Sequence, residues 1–104
     1  MSLFLVSGRC PLSQEPTAEF LQASRDTLTA LGEAQAAGLV KGGGVMIGPL
    51  GVVFVVDVAD NEHLHVFLTT LPSFRFADWE VTPLIAFHRD IEMTLDDALN
   101  RARP

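Results

Sequence analysis

The chain has 104 residues, 48% of them hydrophobic, with seven Lys/Arg against thirteen Asp/Glu and a formal charge of −6. This length fits a single domain, residues 1–104, and the apolar content excludes a disordered chain. The positive residues are scattered, so the basic patch that phosphate neutralisation needs is missing, which excludes nucleic acid and an anionic membrane surface as partners.

Cys10 is the sole cysteine. It cannot close an internal disulfide, which suits a reducing compartment. No histidine adjoins it, and it reads as a strand-end residue before Pro11 rather than as a nucleophile. The N-terminus lacks a basic leader, and the apolar stretch Val45–Val56 is broken by GPLG and too short to span a bilayer. A soluble cytoplasmic protein is the expectation.

SLFLVS (2–7) reads as a buried strand that Gly8-Arg9-Cys10-Pro11 ends. SQEPTAEF opens a helix over about 17–37, with Pro16 in its first turn and Glu15 and Glu19 at the positive end of its dipole. Phe20, Leu21, Ser24, Leu28, Leu31 and Gln35 line one helical face, and Gly38 follows as the terminating glycine. LVKGGGVMI (39–47) and GVVFVVDV (51–58) flank Gly48-Pro49-Leu50 and predict a β-hairpin. The Gly42-Gly43-Gly44 run lacks the Gly-Lys-Ser/Thr ending of a phosphate loop and reads as a bulge or a close backbone approach.

Asp60 caps a second helix over about 60–70, with Leu64, Phe67 and Leu68 as its apolar positions. Leu71-Pro72 ends it. RFADWEVTPLIAF is the last strand, with Phe76, Asp78, Glu80 and Thr82 on one face and Ala77, Trp79 and Val81 on the other. Thr94-x-x-Asp97 has the pattern of a capping box and predicts a short C-terminal helix.

The order β-α-β-β-α-β is that of an α+β ferredoxin-like sandwich, one antiparallel sheet with two helices on one face. VVFVV is apolar on both sheet faces, yet two helices cover only one. The other face calls for a second copy packed sheet to sheet, or for the tail helix folded back over it.

Candidate chemistry centres on LPSFRFADWEVTPL (71–84). Asp78 and Glu80 share a strand face about 7 Å apart. If that face borders a pocket, one of them becomes a desolvated base, with Arg75 anchoring a carboxylate. Acids so spaced on a wetted strand, or in an interface ion pair, are the alternative. Phe74, Phe76 and Trp79 form an aromatic cluster suited to packing or to sandwiching a flat ligand. His63 and His65 diverge on a helix, and no histidine has a second ligand at metal spacing, so no metal site is expected.

The same stretch resembles the signature LPLFPYMDIEVTPL of the muconolactone delta-isomerase family. The shared residues are Leu71, Pro72, Phe74, Asp78, Glu80, Val81, Thr82, Pro83 and Leu84. Val56-Asp57-Val58, Leu64-His65, Gly38 and Gly48 are similar in kind and spacing. The resemblance implies a ferredoxin-like domain paired into a dimeric α/β barrel, with rings of such dimers. It implies a cofactor-free enzyme of aromatic-compound breakdown that shifts a proton within a small unsaturated lactone acid. Asp78, Glu80 and His65 are then the catalytic candidates. Arg75, Lys41, Phe74, Phe76 and Trp79 are the substrate-binding ones.

This chain departs from the family pattern in its first helix, where SRDTLTA carries only Arg25 and Asp26 as charges. It departs again in the hairpin VKGGGVMIGPLGVV, where Lys41 is the one cation. The competing readings are a non-catalytic small-molecule-binding or assembly module, and a cofactor-independent monooxygenase by analogy of fold. A cavity lined by converging acid and cation favours the isomerase; one lined only by apolar residues argues against it.

Overall fold

The computed structural model describes residues 2–11 and 15–104. Strands β1 (Ser2–Arg9), β2 (Val40–Val45), β3 (Gly51–Val58) and β4 (Asp78–Leu84) form one antiparallel sheet in the order β2-β3-β1-β4. Phe4, Val6, Phe54, Val56 and Val58 are buried on one sheet face with Leu64, Leu68 and Leu71. Leu64 and Leu68 come from α2 (Asn61–Thr70), and α1 (Ala18–Ala36) adds Ala30, Leu31 and Ala34 to the same core. Strand order and helix placement together make the ferredoxin-like α+β sandwich that the sequence predicts.

Strand alternation then fixes the other face. Leu3, Leu5, Val53 and Val55 occupy the in-between positions of β1 and β3 and stay half-buried, with both helices on the far side. This is the second apolar face expected from VVFVV. Asp78, Glu80 and Thr82 pair in register with Arg9, Ser7 and Leu5, so they belong to this outer face. Trp79 and Val81 pair with Gly8 and Val6 and belong to the helix side.

Helix ends follow local chemistry. Thr17 Oγ1 accepts from the Phe20 N–H at 3.1 Å and starts α1. The helix therefore begins after Pro16, and Ser13 and Gln14, read as part of its opening, lie outside the described residues. At the other end Gly38 takes φ +84°. Its N–H donates to Gln35 O at 3.0 Å and that of Leu39 to Ala34 O at 2.9 Å, which satisfies the last carbonyls. Asp60 caps α2, accepting from the His63 N–H at 2.9 Å and contacting His63 Nδ1 at 2.7 Å. The imidazole contact holds the Asp60 carboxyl below its usual range, and the carboxylate in turn raises His63.

The structure corrects the reading in four places. First, β1 continues through Gly8 and Arg9, which still pair with β3 and β4 on either side. Second, β4 starts only at Asp78, because Phe74–Phe76 form a 3₁₀ turn. The Phe74 N–H donates to Leu71 O at 2.9 Å and the Trp79 indole N–H to Phe74 O at 3.0 Å, so the chain curls before it extends. Phe76 therefore lies off the strand, edge-on to the Phe20 ring at 5.4 Å.

Third, the buried residues of α1 are Phe20 and Thr27, whereas Leu21 and Leu28 are exposed. The helix leans on the core through Ala30, Leu31 and Ala34, and leaves Leu21 and Leu28 outside it.

Fourth, the C-terminal helix begins earlier than Thr94. It comprises α3 (Phe87–Asp90), a π turn (Ile91–Leu95) and α4 (Asp96–Ala102). Thr94 sits inside the π turn, and no side chain caps α4. This arm projects from the end of β4 instead of folding back over the open face. The molecule measures 64 × 28 × 21 Å with a radius of gyration of 17.3 Å, against about 13 Å for a compact chain of this length.

The glycine run follows a bulge and makes the close backbone approach at Gly43, where a Cβ would meet Val53 O. Val40 pairs with Val56 and Gly42 with Val55, which leaves Lys41 as the extra residue.

Candidate functional site

A cleft of about 90 Å³ opens between α1 and the sheet. Gly8 makes room for it: a Cβ there would fall 2.5 Å from the Trp79 ring, so only glycine lets the indole lie across β1. Phe20, Leu28, Val45, Leu50, Val52 and Trp79 supply the apolar walls. Trp79 is held from behind by Phe74, stacked at 6.2 Å between centroids, and by its hydrogen bond to Phe74 O.

The polar part of the lining comes from Ser24, Thr27, Ser73 and Cys10. Thr27 and Ser73 are buried and their hydroxyls bond to each other. The Ser73 N–H also donates to Thr27 Oγ1 at 2.9 Å, which ties the loop after α2 to the middle of α1. Ser24 spends its proton on Phe20 O at 2.9 Å, leaving oxygen lone pairs free to accept. Burial, and then the charge of Asp78, push the Cys10 thiol above its ordinary value, so at neutral pH it is a thiol and a weak potential donor. The cleft lining thus offers hydroxyls, a thiol and aromatic faces, with no carboxylate and no cation among the described residues.

Thr27→Val keeps the shape of that side chain and removes its oxygen. Ser73 then keeps a buried N–H without an acceptor, at a cost of about 1–3 kcal/mol. The expected result is a melting temperature lower by roughly 5–15 °C, read by circular dichroism. An unchanged melting temperature would show that the Thr27–Ser73 link carries no load.

Of the residues singled out in the sequence, Trp79 lines the cleft, with Phe74 stacked behind it and Phe76 packed on its other aromatic wall, Phe20. Asp78 and Glu80 lie on the opposite sheet face and are exposed. Asp78 is nonetheless close enough to Cys10 for its charge to act on the thiol. Arg75 is exposed, ion-paired with Glu19 and placed over the Phe76 ring at 4.7 Å. Lys41 is exposed on the bulge of edge strand β2, and His65 on the surface of α2.

Sequence reasoning missed Thr27 and Ser73 as a pair. Thr27 was findable, because 20, 24, 27 and 31 follow the helical period. Its bond to Ser73 crosses 46 residues and had no local signal.

No helix among the described residues is long and apolar enough to cross a membrane. No group of three or more His, Cys, Asp or Glu among them could hold a metal ion.

Comparison with known proteins agrees with this architecture. The family model described as muconolactone delta-isomerase matches residues 3–90. No curated protein matches the chain. Among solved structures, a muconolactone isomerase is 30% identical, with 81% of this chain and 88% of that one covered at a TM-score of 0.66. A 5-chloro-2-hydroxyhydroquinone dehydrochlorinase from Burkholderia phenoliruptrix AC1100, solved with 2,5-dihydroxybenzoquinone, is similar in fold at 14% identity. It covers 84% of this chain and 97% of that one at a TM-score of 0.60. The fold, the signature at 71–84 and the family match converge: the chain belongs to the muconolactone delta-isomerase family.

Proposed function

We propose that this protein works as a homodimer and binds a small, flat, unsaturated molecule of the lactone class in the cleft between α1 and the sheet. The observation that carries this reading is the cleft lining, a buried pair of hydroxyls with Ser24 and Cys10 inside otherwise apolar and aromatic walls. Such a lining suits a ligand with an apolar ring body and one or two oxygen acceptors or donors. Family membership supplies the lactone class as the first one to test. Pairing of the outer sheet faces covers Leu3, Leu5, Val53 and Val55.

Turnover of the bound molecule by a double-bond shift needs a base within hydrogen-bond reach of the acidic carbon. Cys10 is protonated, so it does not serve as that base. The cleft lining holds no carboxylate among the described residues, so we assign proton transfer to Asp78 at the start of β4, opposite Arg9 and near Cys10, acting on the part of the ligand that projects past Cys10 out of the cleft. The carbon acid gives up a proton on one side of the double bond and takes one back at the other end, with no net oxidation.

The test uses muconolactone as probe. Calorimetry should detect binding, and the wild-type melting temperature should rise by several degrees at saturation. NMR in D2O should show deuterium entering the allylic position, with at least a hundredfold loss in Asp78→Asn while affinity stays within threefold. Binding without exchange leaves a ligand-binding module and sinks the catalytic part. Absence of both binding and thermal shift sinks the whole reading.

A further inference from the structure

The cleft beside Trp79 does not stop at Leu28. Leu28 of α1, with Val45 and Val52 of the β2–β3 hairpin, also lines a second hollow of about 170 Å³. This hollow runs on between α1 and edge strand β2, over the buried side chains of Val40 and Phe54. Among the described residues its lining carries no charge, and Gln35 is its one polar side chain.

Two glycines keep the hollow open. Gly43 lies on the β2 bank and cannot carry a side chain, because its Cβ would meet Val53 O and the backbone of Phe54. Gly32 lies on the α1 bank and is the reverse case. Among the described residues nothing lies within 4 Å of the place its Cβ would take. Glycine inside a helix weakens it relative to alanine, and here no neighbour requires it. The effect of the missing side chain is to leave the α1 bank bare, along the same hollow that Gly43 leaves bare from β2.

A dry apolar cavity of about 150 Å³ takes one benzene ring. The cleft, at about 90 Å³, therefore encloses only part of a ring-sized ligand. The adjoining hollow, at about 170 Å³, has room for about six carbons. Its uncharged lining gives a carboxylate or an ammonium group no partner. The saddle formed by Leu28, Val45 and Val52 is apolar on both sides, so a hydrocarbon chain crosses it without desolvating a polar group.

We infer that the hollow is a subsite for an unbranched alkyl substituent of about six carbons, carried by a ligand whose unsaturated ring lies in the cleft. This rests on the lactone reading of the preceding section and adds the substituent to it. The ring meets Trp79 and the hydroxyls, and the tail crosses the saddle and ends toward the exposed Gln35.

Calorimetry on the full chain tests this with two uncharged butenolides, one bearing a methyl and one a hexyl group on the carbon next to the ring oxygen. Wild type should bind the hexyl compound at least thirtyfold more tightly than the methyl one. Gly32 does not line the cleft, so Gly32→Leu should bind the methyl compound within twofold of wild type while the hexyl advantage falls below threefold. Gly32→Ala should fall between the two. Both variants should melt no lower than wild type, since each replaces a glycine inside a helix. A hexyl advantage below threefold in wild type, or one that Gly32→Leu leaves intact, overturns the subsite, and binding of the methyl compound then keeps the lactone reading standing. An intact advantage together with a weakened dimer constant in Gly32→Leu would give the hollow to a second copy instead. If neither butenolide binds, hexanol decides. A thermal shift that Gly32→Leu abolishes keeps the subsite and sinks the lactone class, and no shift sinks both.

Discussion

Phe54→Ala should lower stability by about 3–5 kcal/mol, the largest single effect expected in the molecule. Phe54 is 2% exposed at the centre of β3. It meets Phe67 of α2 edge-on at 6.1 Å between centroids, so the ring joins the sheet to the helix layer. Truncation removes the apolar transfer energy of the ring and leaves a cavity that β-sheet backbone on both sides cannot collapse to fill. A domain of this size holds roughly 5–15 kcal/mol in all, so the variant should be close to unfolding at 37 °C. Urea denaturation reads the loss as a lower midpoint at unchanged slope. Phe54→Leu, which keeps most of the volume, should lose less than half as much. A loss under about 1 kcal/mol for the alanine variant would place the core elsewhere.

Gly43→Ala should cost about 3 kcal/mol, although it adds a single methyl group. Gly43 takes φ +146° in β2, two residues past the bulge at Lys41, a conformation that side-chain-bearing residues rarely adopt. Its missing Cβ would run into the backbone at Val53 O and Phe54 Cα, which cannot step aside without breaking the ladder. The adjacent Gly44 is the control. Nothing lies within 4 Å of the position of its Cβ, so Gly44→Ala should stay within about 0.5 kcal/mol of wild type. Thermal melting of the two variants side by side separates conformational strain from a general dislike of alanine in an edge strand. Equal melting temperatures would remove the case for a required glycine at position 43.

The fold was largely legible because the strong signals were local. The apolar run of β3, the Asp60 cap and the glycine after α1 each declare an element within a few residues. The second apolar face was also legible, since VVFVV has no polar side to turn to water. The site was less so. Asp78 and Glu80 stand out because charges inside a strand-like run draw notice, and the sequence put them correctly on one face. Which face that was depended on the register between β1 and β4, a non-local fact. The cleft is made instead of bland residues, Gly8, Ser24, Thr27 and Ser73, whose meaning lies in what they meet across the fold. The arm was misjudged for a different reason. Thr94 looks like a cap, but the apolar spacing from Phe87 onward carries more weight than a hydroxyl without a free N–H to receive.

The alternation along β4 also has an evolutionary reading. Carboxylates and indole sit on neighbouring residues yet on opposite sides of a sheet one layer thick. Lengthening the 3₁₀ turn by one residue so that β4 slips one position against β1 would trade them, sending acids inward and the ring outward. Chemistry in such a scaffold can therefore be rewritten by the length of a short turn, with neither the strand's residues nor the architecture altered.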